Sequence, residues 1–260
     1  MLVLLYNHLQ QIKIIMRRIF IFLFIGFALS MQANENKNNL NTNKKYLDTL
    51  SIGFELTTKY MWRGLEYGTA PTVFSSINYS RGGFSASILG TYSLNGSHSE
   101  VDLSLGYTYK NLSVGIADYY YPSGVGEKDS YFKYDSHSTK HYVELYGTYN
   151  FNKLPIWITG STYIFGADKG ADGHQAYSTY GEVGYQHKFH NNDVLSLCCG
   201  ATFNKSFYTE YSKRFSIVNV ALRYMSSIKF GKFALPVSTS YIYNPYKKKS
   251  FVTFSLYLHT

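Results

Sequence analysis

Residues 100–120 read EVDLSLGYTYKNLSVGIADYY. Val101, Leu103, Leu105, Tyr107 and Tyr109 alternate with Asp102, Ser104 and Thr108. After Lys110-Asn111 the alternation resumes with Leu112, Val114, Ile116 and Tyr120. Successive side chains of a strand point to opposite faces, so a period of two makes one oily face and one polar face. The stretch reads as two amphipathic strands joined by a tight turn. Each is about as long as the roughly 9–11 residues that a tilted strand needs to cross a bilayer. Globular strands usually have about 5–6.

The same pattern fills the chain from Leu50 to its end. It predicts strands over 50–63, 72–80, 84–94, 100–109, 112–121, 141–151, 156–165, 176–189, 194–204, 215–224, 234–243 and 251–260. In the first, Leu50, Ile52, Phe54, Leu56, Tyr60 and Trp62 share the oily face, with Glu55, Lys59 and Arg63 opposite. In 215–224 the oily face is Val218, Val220, Leu222 and Tyr224. The phase of 156–165 is open, because Ile156 and Ile158 compete with Trp157 and Phe165.

Connections alternate in length. Short ones are expected at 81–83, 110–111, 152–155 and 190–193, and longer ones at 64–71, 122–140, 166–175, 205–214 and 244–250. The exceptions are a short 95–99 and a longer 225–233. Short turns on one side and long loops on the other mark a membrane barrel. Tyr60, Trp62, Tyr92, Tyr120, Tyr177, Tyr241 and Tyr243 form one aromatic belt, and Tyr79, Tyr107, Tyr109, Tyr149, Phe151, Tyr185, Phe189 and Tyr224 a second. The expected fold is all-β: a transmembrane antiparallel up-and-down β-barrel of about 12 strands over 49–260, with both termini on the short-turn, periplasmic side.

Composition agrees. The chain has 27 Tyr and 18 Phe, only 2 Cys, and 16 % charged residues, against roughly 25 % in soluble domains. Two cysteines exclude a disulfide scaffold or a Cys-rich zinc module. Cys198 and Cys199 are adjacent and point to opposite faces of a strand. A mean hydropathy of −0.19 excludes a bundle of membrane helices.

Residues 16–33 read MRRIFIFLFIGFALSMQA. A basic start, an apolar run and small residues make a secretory signal peptide. Residues 1–33 are expected to be removed, with Met16 the more natural start. Residues 34–48 are Asn- and Lys-rich and read as a flexible periplasmic leader. Loss of Lys13, Arg17 and Arg18 lowers the formal charge from +9 to +6. In an exported chain this balance points to lipopolysaccharide or anionic solutes rather than nucleic acid. The expected location is the outer membrane of a Gram-negative bacterium, with outer-membrane lipids and the barrel-insertion machinery as partners. The last strand ends His259-Thr260 rather than on an aromatic.

Lys59-Tyr60-Met61-Trp62-Arg63-Gly64, then Ala70-Pro71-Thr72-Val73, Ile77-Asn78-Tyr79-Ser80 and the Gly83-Phe84 turn, resemble the start of the Gcw_chp, or TorF-like, porin family. The resemblance covers residues 50–92 and implies an outer-membrane barrel with a channel role.

Candidate luminal residues are Glu55, Lys59, Arg63, Glu100, Asp102, Glu144, Glu182 and Arg223, of mixed sign. They read either as a charged constriction or as internal salt bridges. Inward Phe74, Tyr146, Trp157, Tyr180 and Tyr257 narrow the bore. Lys247, Lys248 and Lys249 form a basic loop, read as lipopolysaccharide contact or as a solvated loop. Asp135-Ser136-His137-Ser138 and Gly173-His174-Gln175-Ala176 lack the spacing of a Ser–His triad, and no catalytic residue, cofactor or metal is expected. Only His137 and His141 have ligand-like spacing on one strand, which chance explains. The reading is a narrow channel for small polar or anionic solutes. The alternatives are a non-conducting structural or surface-interaction barrel acting through 122–140 and, behind it, a lipid hydrolase.

Overall fold

A computed structural model describes residues 49–123 and 130–259. The expected signal peptide and leader, 1–48, lie outside the described residues. The chain forms β1 (Thr49–Thr57), a short pair β2 (Met61–Trp62) and β3 (Leu65–Glu66), then β4 (Thr72–Arg81), β5 (Phe84–Ser93), β6 (Ser99–Tyr109), β7 (Leu112–Tyr120), β8 (His141–Asn150), β9 (Ile156–Gly166), β10 (Thr179–Lys188), β11 (Val194–Thr202), β12 (Ser216–Phe230), β13 (Phe233–Asn244) and β14 (Lys249–His259). All but β2 and β3 join in one closed barrel in which chain neighbours pair and β14 returns to β1. That gives 12 antiparallel barrel strands of 9 to 15 residues.

The alternation decides which side chains face out. Partners in register share a face, as in Leu105↔Ile116 and Ile116↔Leu145 outside or Ser104↔Ala117 inside. Outward Leu50 is 68 % exposed, Leu105 61 % and Val252 67 %. Inward Glu100, Asp102, Glu144, Ser161, Asn219, Ser238, Ser240 and Thr253 are buried. The polarity is inverted relative to a water-soluble protein, whose buried side is mostly apolar. An apolar outer band is the surface of a membrane-spanning barrel. The open phase of β9 resolves with Ile156 and Ile158 outward, Trp157 inward and Phe165 outward, because a bulge between β8 and β9 adds a residue after Tyr163. Cys198 faces inward and Cys199 outward, in register with Ala221 and Val220.

Four expectations are corrected. The first strand does not run to Arg63: it ends at Thr57, and 58–71 turns into the lumen. Tyr60, 8 % exposed, and Trp62 therefore leave the outer belt and pack inside. Val218 is not outward. A bulge opposite Gly200 and Ala201 shifts the register, so Val218 is fully buried inside and Ile217 takes the outer face. The long 225–233 connection does not exist, because β12 continues to Phe230 and turns through Gly231-Lys232. The 244–250 loop shortens to the four residues 245–248. The last two changes place one more short turn on the short-turn side and one more on the other.

At the long-loop end, residues 130–140 fold against the outer wall. Asp118 faces outward opposite Leu103 and Val143, a costly place for a carboxylate. His141 Nδ1 meets Asp118 at 2.8 Å, Nε2 donates to the Tyr131 carbonyl at 2.6 Å, and the Tyr134 hydroxyl donates to Asp118 at 2.7 Å. Burial, then that bond to Asp118, raises the Tyr134 phenol above its ordinary value. The rings of Tyr120, Tyr131 and Tyr134 enclose His141, which is fully buried.

Charge should be costly on one face and tolerated on the other. Leu105→Arg, halfway along β6, is expected to lose about 2–4 kcal/mol, and Ser104→Arg to insert normally. Unfolding in urea from detergent or lipid, with heat-shifted mobility on a gel, reads both; equal effects would overturn the assigned facing.

Candidate functional site: a luminal plug

β2 and β3 pair through Met61↔Glu66 and Trp62↔Leu65, so Arg63-Gly64 is the whole turn. A two-residue hairpin of this hand needs positive φ at both central positions. Arg63 has φ 48° and Gly64 φ 79°. A Cβ at Gly64 would stand 2.0 Å from the Val218 carbonyl oxygen. Only glycine lets this turn seat on the β12 bulge. The Asn244 side-chain amide donates to the Gly64 carbonyl at 3.1 Å and holds the tip from the facing side. Arginine in the left-handed region costs on the order of 1–3 kcal/mol, which its contacts must offset.

Those contacts are extensive. Arg63 Nη1 donates to Glu144 Oε1 at 2.5 Å and to the Tyr208 hydroxyl at 2.6 Å, and Nη2 donates to Glu144 Oε2 at 3.1 Å. The guanidinium lies 4.2 Å from the Trp62 ring and 4.6 Å from that of Tyr180. Tyr119 donates to the same carboxylate at 2.9 Å. A planar, delocalised cation with a bidentate acceptor and two ring faces suits a buried position that a lysine would fill poorly. The Glu144 side chain is 1 % exposed and that of Arg63 14 %.

Packing closes around this pair. Leu65, Tyr180, Tyr208 and Val218 form a buried apolar cluster inside the barrel, with Trp62, Tyr67, Phe207 and Tyr246 against it. A 3-10 turn, Phe207–Thr209, enters from the loop between β11 and β12. Phe207 stacks on Trp62 with centroids 6.3 Å apart. Asp168 ties that loop to its neighbour, accepting from the Ser178 amide at 2.8 Å, the Ser178 hydroxyl at 2.6 Å and the Tyr211 hydroxyl at 3.3 Å. On the other side Tyr67 meets His98 and Tyr121, and Tyr60 meets Phe74 edge-on at 4.9 Å.

The luminal candidates divide. Arg63 and Glu144 meet, and Lys59 pairs at 2.5 Å with Glu66, which sequence reasoning did not single out. Glu182 accepts from Tyr180 at 2.6 Å and Asn219 at 3.1 Å. Glu100 takes His98 at 2.9 Å. Asp102 is buried, and its Oδ1 has no partner among the described residues. Glu55 and Arg223 face the lumen in no ion pair among the described residues; Arg223 donates only to Ser240, at 3.1 Å. Phe74, Tyr146, Trp157, Tyr180 and Tyr257 face inward as expected. The basic loop is split: Lys247 pairs with Glu210 at 3.2 Å, Lys248 turns with φ 53°, and Lys249 opens β14. Tyr208, fully buried beside Arg63, was missed; it sits in a loop that shows no period.

Asp135, Ser136 and His137 do come together, Ser136 Oγ at 3.2 Å and Asp135 at 3.8 Å from His137. Both contacts fall on Nδ1, whereas a triad uses the two ring nitrogens separately. No cluster of three metal-ligating side chains occurs among the described residues.

No family model and no curated protein matches the chain. Among solved structures it is similar to the KdgM porin, with 12 % identity over 80 % of this chain and 97 % of that one, TM-score 0.43. It is also similar to a variant of the Rh. blastica porin, with 11 % identity over 73 % of this chain and 55 % of that one, TM-score 0.36. A third is Escherichia coli Wzi, described as a carbohydrate-binding barrel involved in capsule assembly, with 7 % identity over 81 % and 84 %, TM-score 0.36.

Arg63→Ala leaves the Glu144 carboxylate buried without its cation and should cost about 3–5 kcal/mol. Adding Glu144→Gln should recover part of that loss, since the orphan charge is gone. Trp62 and Trp157 are the only tryptophans, so fluorescence melts of the Trp157→Phe background report the plug directly.

Proposed function

We propose that the chain is an outer-membrane barrel of the TorF-like porin type that works as a narrow channel for small polar solutes, with 58–71 as its constriction. The observation that carries this reading is a polar lumen, open in water-exposed Ser, Thr, Asn and Gln at the short-turn end and closed at the other by a hairpin held by one ion pair. A segment that served only to fill the barrel would gain little from a buried charge pair, since apolar side chains of similar volume do as well or better. A charge pair can instead be exchanged for water or solute when the hairpin moves. The short-turn end is taken as periplasmic, because an exported chain that ends on that side inserts without moving its termini across. Lipopolysaccharide against the upper aromatic belt and the exposed Lys248, and the insertion machinery at β14, are proposed as partners.

Charge bookkeeping narrows the solute. Lys59, Arg63, Glu66 and Glu144 neutralise one another. Arg223, Lys188 and Lys229 face inward beside Glu55, Glu100, Asp102 and Glu182, none of them in a Lys–carboxylate or Arg–carboxylate pair among the described residues. Arg223 is the candidate anion contact, and the plug itself selects by size. We propose no catalytic role.

The largely buried tip favours a non-conducting resting state, and so a purely structural barrel as the second reading. Planar-bilayer recordings separate the two. The wild type should give small, infrequent openings, and Arg63→Ala should raise mean conductance severalfold. Arg223→Ala should move the reversal potential in a salt gradient toward cations. Silence from all three proteins, with the barrel still folded, would leave the structural reading.

A further inference from the structure

Below the plug, the wall made by β1, β4, β5 and β6 holds a recess of about 200 Å³, toward the short-turn end. Its lining follows from register. One inward row runs Thr49, Ser80 and Ser85, and the neighbouring Tyr79 and Ala86 also border the recess. The next runs Ser51, Asn78, Ser87, Ser104. Small side chains on adjacent strands leave the hollow. No charged residue lines it.

The hydroxyls are not used up by the protein. Ser87 bonds Ser104 at 2.7 Å and Asn78 donates to Ser76 at 3.2 Å. Thr49, Ser51, Ser80 and Ser85 make no side-chain hydrogen bond among the described residues. A hydroxyl both donates and accepts, so this surface matches a ligand whose groups do the same. It offers no countercharge, and so cannot offset the desolvation of an ionic group.

We infer that this recess is a binding site for one ring of a neutral, polyhydroxylated solute, a sugar, with Ser51, Ser80 and Ser85 and the Asn78 amide oxygen as its hydrogen-bonding groups. The inference rests on the barrel wall and not on conduction, so its test is a binding measurement.

Detergent-solubilised full-length protein is titrated with glucose, glucuronate and glucosamine, read by saturation-transfer NMR. Glucose should bind, and the two charged analogues at least tenfold more weakly. The pair Ser51→Ala, Ser85→Ala removes two hydroxyls and adds no bulk to the recess. It should weaken glucose about tenfold. Ser196→Ala, inward on the opposite wall, should leave it unchanged. Equal binding of all three solutes by the wild type would overturn the inference without any variant. So would undiminished glucose binding by the double variant, or an equal loss with Ser196→Ala. Absence of glucose binding with channel openings intact would remove the site and leave the channel reading standing.

Discussion

Closure of the hydrogen-bond ladder governs the rest of this structure. A sheet that returns β14 to β1 has no edge, and in hydrocarbon an unpaired backbone amide costs several kcal/mol. Once closed, the sheet divides every strand into an outer and an inner set of side chains. Lipid selects the outer set for oil. Nothing obliges the inner set to be apolar, and it becomes the place where charge, hydroxyls and rings can be arranged for a purpose. Asp118 marks what that rule costs when broken. It stands on the outer face, and a buried histidine, a tyrosine hydroxyl and three rings are recruited to cover it.

Much of the barrel was legible because its rule is local. A period of two survives ten residues of reading with no knowledge of neighbours, so strand number, phase and the inward positions of Glu144, Glu182 and Arg223 follow from residues alone. What broke the reading were single-residue events. The bulge at Val218 inserts one residue and moves it from the outer face to the plug, though Val reads the same in either place. Arg63-Gly64 is the other case. As continued alternation, Tyr60, Trp62 and Arg63 fit β1 perfectly well. As a two-residue turn between short paired runs, they fit a hairpin, and the glycine was the available signal. The long extension of β12 was missed because Ser226 interrupts its oily face, while Gly231-Lys232 looked like part of a loop.

The plug shows how tertiary context overrides propensity. Trp62 has the character of a belt residue at a membrane interface. Inside, it stacks on Phe207, meets Tyr67 and Tyr119 and covers one face of the Arg63 guanidinium. The same ring serves either environment, and the deciding term is Glu144, one strand pair away from any local pattern. Its carboxylate would be an uncompensated buried charge without Arg63, so the two residues specify each other across the lumen. Arg63 in turn accepts a left-handed backbone that a less well-paired side chain would not repay.

Plug and recess divide the lumen by chemistry. The upper half holds Arg63 with Glu144 and Lys59 with Glu66, the first pair between aromatic faces. The lower half, on the β1 to β6 wall, holds hydroxyls without partners. The recess itself offers a charged solute no countercharge; on that wall the inward charges are the carboxylates Glu55, Glu100 and Asp102, and Arg223 stands on another. On the reading proposed above, a neutral polyol would exchange water hydrogen bonds for equivalent ones in the recess at little cost. The barrier beyond it would open only when Arg63 leaves Glu144, so selection by hydration would come first and passage second. The recess would then raise the local concentration of solutes, and the ion pair would set how long they wait for the hairpin to move.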